Sequence, residues 1–80
     1  MRQHRYMTFA DRQKIAELYE QGMSVAEIAE RIQYNRASVY DELKRGFTGE
    51  MDKNGRPEYS ADLAQRKMFE RRRQRLVVAE

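Results

Sequence analysis

Arg36, Ala37, Ser38, Tyr40, Asp41, Lys44 and Arg45 fall within the run RASVYDELKR. Val39 and Leu43 are spaced i,i+4 in that run, which is the signature of one inward face of a helix. Arg36, Ala37, Ser38, Tyr40, Asp41 and Lys44 are left on the opposite face. That face carries a bidentate donor, a methyl group, two hydroxyls, a carboxylate acceptor and an ammonium. The set matches the edges of base pairs: Arg36 can fork onto guanine, Ala37 can pack on a thymine methyl, and Asp41 can accept from cytosine. Tyr40 can reach a base or a phosphate. The spacing also allows Asp41 to pair with Arg45 instead.

Catalytic chemistry finds little support. No carboxylate pair has a supporting base or metal-ligand spacing, and no glycine pattern cradles a phosphate. His4 is the single histidine and has no neighbouring ligand, and there are no cysteines to form disulfides or thiolate sites. The chain is expected to be no enzyme and to hold no metal, cofactor or small-molecule ligand.

The elements that must position the 36–45 face are legible on either side of it. Ser24 and Glu27 make an S-x-x-E capping box at the start of a helix over Val25–Ile32, whose apolar face is Val25, Ile28, Ala29 and Ile32. Ala29 supplies the small side chain that a close helix crossing needs. Glu27 and Arg31 are spaced to pair on its outer face. Gln33-Tyr34-Asn35 is then a tight turn, with Gln33 where a glycine would be easier, and Asn35 is the N-cap of the next helix, Arg36–Arg45. Two capped helices around a three-residue turn predict a helix-turn-helix, whose second helix enters the DNA major groove. Upstream, Thr8 and Asp11 resemble a capping box for a helix ending near Gln21, with Gly22 at its left-handed C′ position. Phe9, Ile15, Leu18 and Tyr19 face inward, while Arg12, Lys14, Glu17 and Glu20 are placed mostly outward. Gly46 ends the helix that begins at Arg36.

The flanks are basic and the body is balanced. Formal net charge is +3 for 80 residues, with 40% hydrophobic and 36% charged side chains. Residues 1–7 carry +2, and residues 59–80 carry six basic against three acidic side chains. Two basic ends suit a protein that grips phosphates at its margins. Residues 1–7 read as a flexible basic arm that can lie in a minor groove. Residues 47–58 read as a connector, with a turn at Asn54-Gly55 and with Pro57 excluding a regular helix; a loop is expected, a small hairpin being the alternative. Residues 59–80 read as a basic helix capped by Ser60. Its first half can pack on the preceding domain, it can pair with a second copy through Met68, Phe69 and Leu76, or its arginines can lie along DNA.

With the helices placed, Thr8-Phe9-Ala10-Asp11-Arg12, Ile15, Leu18, Gly22, Ser24, Glu27-Ile28-Ala29, Ile32, Ser38-Val39 and Glu42-Leu43 resemble the N-terminal helix-turn-helix of IS-thirty class insertion-sequence transposases. Tyr59-Ser60-Ala61 with Ala64-Gln65 is similar to a later helix of that family. The likeness spans roughly residues 5–75. It implies a trihelical, homeodomain-like fold and a DNA-binding protein of a bacterium, phage or mobile element. It does not carry the target sequence, because Gln33 and residues 36–41 depart from the family pattern. The family's acidic catalytic domain lies downstream of the part that this chain resembles.

The expected architecture is thus all-α: arm 1–7, trihelical domain 8–46, connector 47–58 and C-terminal helix 59–80. Arg36, Ala37, Ser38, Tyr40 and Asp41 are the candidate base readers. Arg5, Asn35, Lys44, Arg45, Arg71, Arg72, Arg73 and Arg75 are the candidate phosphate contacts. The expected partner is double-stranded DNA, with a homodimer through the C-terminal helix. The longest apolar run near either end, Leu76–Ala79, is far too short to cross a membrane, and the expected location is the cytoplasm, at the nucleoid. A transposase recognition fragment and a sigma-like or anti-regulator interaction module are the alternatives.

Overall fold

The computed structural model describes the backbone of residues 7–78 and the side chains of residues 7–71. Those residues form α1 (Phe9–Glu20), α2 (Val25–Ile32), α3 (Arg36–Arg45), strands β1 (Phe47–Met51) and β2 (Pro57–Tyr59), and α4 (Ala61–Val78). The arm at 1–6 lies outside the described residues.

Local chemistry sets each boundary. Thr8 Oγ1 accepts from the Asp11 N–H at 3.1 Å while Asp11 Oδ2 accepts from the Thr8 N–H at 3.0 Å, closing the capping box of α1. At its other end Gly22 has φ +91°, Gly22 N–H donates to Tyr19 O, and Met23 N–H donates to Leu18 O at 3.2 Å. This Schellman arrangement consumes carbonyls that the helix itself cannot satisfy. Ser24 and Glu27 cap α2 reciprocally. The Glu27 carboxylate therefore turns back to Ser24, away from the pairing with Arg31 that helical spacing suggested. Asn35 Oδ1 accepts from the Ser38 N–H at 2.8 Å and starts α3. Gln33 takes the left-handed conformation, φ 64° and ψ 43°. Tyr34 N–H donates to Ala29 O at 3.1 Å, so the turn closes as a glycine would close it, at a cost of roughly 1–2 kcal/mol for the side chain.

Ile15, Leu18 and Tyr19 of α1, Ile28, Ala29 and Ile32 of α2, and Val39 of α3 form the core, joined by Tyr59 of β2 and Ala64 of α4. The first half of α4 therefore packs on the trihelical unit.

The all-α expectation is corrected in one respect. Residues 47–58 form the hairpin alternative and not a loop, and Tyr59 belongs to it: β1 and β2 pair as an antiparallel two-stranded sheet, with Phe47 opposite Tyr59 and Met51 opposite Pro57. The register slips between those pairs, and Gly49 at φ +96° lies in the irregular part of β1. Asp52 Oδ1 accepts from the N–H groups of Asn54 and Arg56, which shapes the tip. The tip is then tied to α1. Asn54 Nδ2 donates to Glu20 O at 2.9 Å, Arg56 Nη2 donates to Tyr19 O at 2.8 Å, and the Arg56 guanidinium sits 4.0 Å from the Tyr19 ring centre. Tyr19 OH completes the clasp by donating to Pro57 O.

Gly46 does more than end α3. Its φ is −95°, which any residue adopts, but a Cβ there would lie 2.5 Å from the Tyr59 ring and 2.7 Å from Ser60 O. The close approach of β2 to the end of α3 requires the missing side chain. Gly46→Ala is expected to lower stability by about 1–3 kcal/mol through overpacking alone, read as a lower urea midpoint.

Candidate nucleic-acid interface

The inward face of α3 is Val39, Glu42 and Gly46, all buried, with half-buried Leu43 between them. A buried carboxylate needs partners, and Glu42 has three. Its Oε2 accepts from Arg12 Nε at 2.8 Å and from Tyr59 OH at 2.7 Å, and its Oε1 accepts from Arg45 Nη1 at 2.7 Å. Arg12 in turn donates from Nη1 to Met7 O and to Gln65 Oε1. One network thereby joins α1, α3, β2 and α4. Two expectations are corrected by it. Arg12 is not on an outward face; it is 2% exposed, and its Nε and Nη1 are spent on Glu42, Met7 O and Gln65. Arg45 is not paired with Asp41; its i,i+3 partner is Glu42, because that buried carboxylate requires a third donor.

With this face fixed, the opposite one is set. Arg36, Ala37, Tyr40, Asp41 and Lys44 are all exposed, Tyr40 by 54%. Their spacing i, i+1, i+4, i+5, i+8 makes one continuous stripe along α3. Of the candidate base readers only Ser38 is half-buried, with its backbone N–H held by the Asn35 cap. Asn35 is exposed but spends Oδ1 on that cap, leaving its Nδ2 to donate outward.

At the C-terminal end of α3 the stripe runs into an open groove against α4, lined by Asp41, Lys44, Arg45, Lys67, Glu70 and Arg71. Arg71 was expected among the phosphate contacts. Lys67 was not, although it stands one helical turn before Arg71 and this i,i+4 relation was the signal that could have found it. The side chains of Arg72, Arg73, Arg75 and Leu76, and all of Arg5, lie outside the described residues. Of the dimerisation candidates, Met68 is half-buried whereas Phe69 is 56% exposed, so the two do not share one open face. Phe69 lines a separate open depression with Phe9, Asp62, Gln65 and Arg66.

Among the described residues no group of acidic, histidine or cysteine side chains can hold a metal ion, and no helix is long and apolar enough to cross a membrane.

A two-helix unit with a capped three-residue turn, a locked inner face and an exposed polar stripe defines a helix-turn-helix module. The chain belongs to the helix-turn-helix domain family that occurs at the N-termini of IS-thirty class transposases, matching it over residues 3–46, more than half of its length. No curated protein and no solved structure matches the chain. Membership points to DNA as the partner of this domain.

The Tyr59 phenol reports on the network that sets this interface. Burial, followed by its hydrogen bond to Glu42 and the charge of that carboxylate, raises its pKa far above the ordinary 10.0, against the opposing pull of Arg12 and Arg45. Burial also raises Tyr19, opposed by Arg56 and reinforced by Asp52. Above pH 10 the unfolded chain releases phenolic protons that the folded chain keeps. For Tyr59 stability is thus full below pH 10 and falls by about 1.4 kcal/mol per pH unit above it while the folded phenol stays protonated. Tyr59→Phe is expected to remove that slope, checked by urea unfolding from pH 9 to 11.5, and to cost about 1.5–3 kcal/mol at neutral pH for the lost bond to a charged acceptor.

Proposed function

We propose that the protein binds double-stranded DNA sequence-specifically by laying α3 in the major groove. The observation that carries this reading is the stripe Arg36, Ala37, Tyr40, Asp41 and Lys44, which is exposed while the other face of the same helix is locked by Val39 and Glu42. Arg36 forks onto a guanine, Ala37 and Ser38 pack or bond at neighbouring base edges, and Tyr40 and Asp41 act one turn further along. Lys44, Arg45 and Asn35 meet phosphates, with Arg5, Arg71, Arg72, Arg73 and Arg75 extending those contacts.

Such a protein acts by binding, without catalysis of its own, as a transcriptional regulator or accessory factor of a mobile element at the bacterial nucleoid. Paired copies joined through α4 would read two half-sites, and analytical ultracentrifugation of the free protein and of its complex counts those copies. Family membership favours a second reading, in which the chain is the DNA-recognition end of a transposase. An acidic catalytic triad encoded in frame beyond Glu80 would decide for it.

Site selection from a random duplex library tests the main reading. Wild-type protein is expected to enrich a defined motif. Arg36→Ala should lose preference for one guanine by about 1–3 kcal/mol with its salt dependence almost unchanged. Equal enrichment by the two proteins would remove Arg36 from the reading set, and no enrichment by wild type would overturn the function.

A further inference from the structure

The groove between α3 and α4 is built from two sources of charge that a merely solvated surface has no reason to combine. Lys44 and Arg45 come from the last turn of α3, and Lys67 and Arg71 come from α4, with Asp41 and Glu70 also in the lining. Four basic and two acidic side chains leave a formal balance of +2. Lys67 and Arg71 stand i,i+4, a like-charge spacing that weakens a helix by a few tenths of a kcal/mol. Their helix is not free to turn them elsewhere. Ala64 is wholly buried against the core, and Gln65 accepts from the same Arg12 that holds Glu42. The Arg45 guanidinium is pinned at 2.7 Å by Glu42 and is 23% exposed, so it lies deeper in the groove than the exposed Lys44, Lys67 and Arg71. The result is a pre-set cationic groove with one guanidinium held by Glu42 and three exposed cations, which suits a phosphodiester chain.

Position selects which phosphodiester chain. Asp41 and Lys44 belong both to the exposed stripe of α3 and to the groove wall. A duplex whose base edges lie on the stripe necessarily runs a sugar-phosphate strand past the C-terminal end of α3. We propose that this groove seats that strand, with Lys67 and Arg71 of α4 gripping, together with Lys44, the phosphates that flank the bases read by α3. The proposal rests on the reading of α3 as a DNA-reading helix. It assigns Lys67 a binding role and makes α4 part of the interface instead of only a support. Asp41 and Glu70 repel any phosphate in the groove and so moderate its affinity.

The test compares wild type with Lys67→Ala/Arg71→Ala on the enriched duplex between 50 and 200 mM salt. Two lost phosphate contacts should flatten the slope of log K against log salt by about 1.8, so that wild type loses about twelve-fold more affinity than the variant across that range. The motif enriched by the variant should be the same as for wild type. Both exchanged side chains are exposed, and far-ultraviolet circular dichroism of the variant checks that it is folded. A second measurement does not depend on the variant's fold. Wild-type affinity should fall for duplexes carrying a neutral methylphosphonate at a phosphate just outside the motif, and Glu70→Gln should tighten binding to the unmodified duplex. An unchanged salt slope in the folded variant, or indifference of wild type to every flanking methylphosphonate, overturns the groove while leaving α3 as the reader. Absence of any enriched motif with wild type overturns the α3 reading and the groove with it. A steep slope for wild type on RNA but not on DNA would assign the groove to a different nucleic acid and overturn the proposal as stated.

Discussion

The carboxylate of Glu42 is the point on which the geometry of the molecule depends. Taking it and the Arg12 guanidinium out of water costs several kcal/mol per ion, and their mutual attraction recovers this only when the remaining hydrogen-bonding groups are also satisfied. Here Glu42 receives three donors on two oxygens, and Arg12 delivers further donors to Met7 O and Gln65 Oε1. An apolar contact at the same place would hold the elements together without fixing their directions. Hydrogen bonds are angular, so the network holds α1, β2 and α4 in one orientation relative to α3. The exposed stripe on α3 and the flank of α4 beside it are both consequences of that orientation.

The hairpin shows the same economy of partners. Two short strands are marginal by themselves and need something to pack against. The last carbonyls of a helix likewise lack intrahelical donors. Asn54 and Arg56 answer both needs, donating from the hairpin tip to Glu20 O and Tyr19 O of α1. A hairpin that follows α3 has room to reach out from the surface. This one is folded back by its tip, and Tyr19 OH on Pro57 O holds its return strand as well. Its role is to bring Tyr59 to Glu42 and to deliver the chain to Ser60 at the start of α4.

Much of this was legible in the residues. Thr8, Asp11, Ser24, Glu27 and Asn35 announce helix starts by side-chain chemistry that acts within three residues, and Gly22 announces an end. The boundaries of α2 and α3 followed from them, and so did the exposed face of α3. Arg12 and Glu42 were hidden because each is a single charge in a helix full of charges, and charged side chains are usually solvated. Their positions held a clue: Arg12 stands i,i+3 from Ile15, and Glu42 stands i,i+3 from Val39, both core residues. Opposite charges at inward positions of two different helices are what a buried pair looks like before folding. The packing of α4 was partly hidden for a different reason. In the residue pattern Ala61 and Ala64 belong to one broad apolar face with Met68 and Leu76, but they are small, and the contact also uses polar Gln65, so the face alone left packing and pairing both open. The strands were obscured by their length and by the slip in register, which breaks the alternation that marks a sheet.

The same bonds change what the charge count means. A formal balance of +3 is too small for strong steering at a distance, and at physiological salt a charge is screened within about 8 Å. Several of the cations that make up that balance are also committed internally. Arg12 serves Glu42 and Arg56 serves Tyr19, while Arg45 places Nη1 on Glu42 and still lines the groove. Among the acids, Asp11 and Glu27 are bound to helix starts and Asp52 to the hairpin tip. What remains to meet a polyanion is therefore decided by placement and not by the sum. Arg36 and Lys44 share the stripe of α3, and Lys44 shares the groove with Lys67 and Arg71. With so small a net charge the placement of individual cations matters more than their sum, and the juxtaposition of Lys44 with Lys67 and Arg71 lasts only while Glu42 keeps α3 and α4 in register.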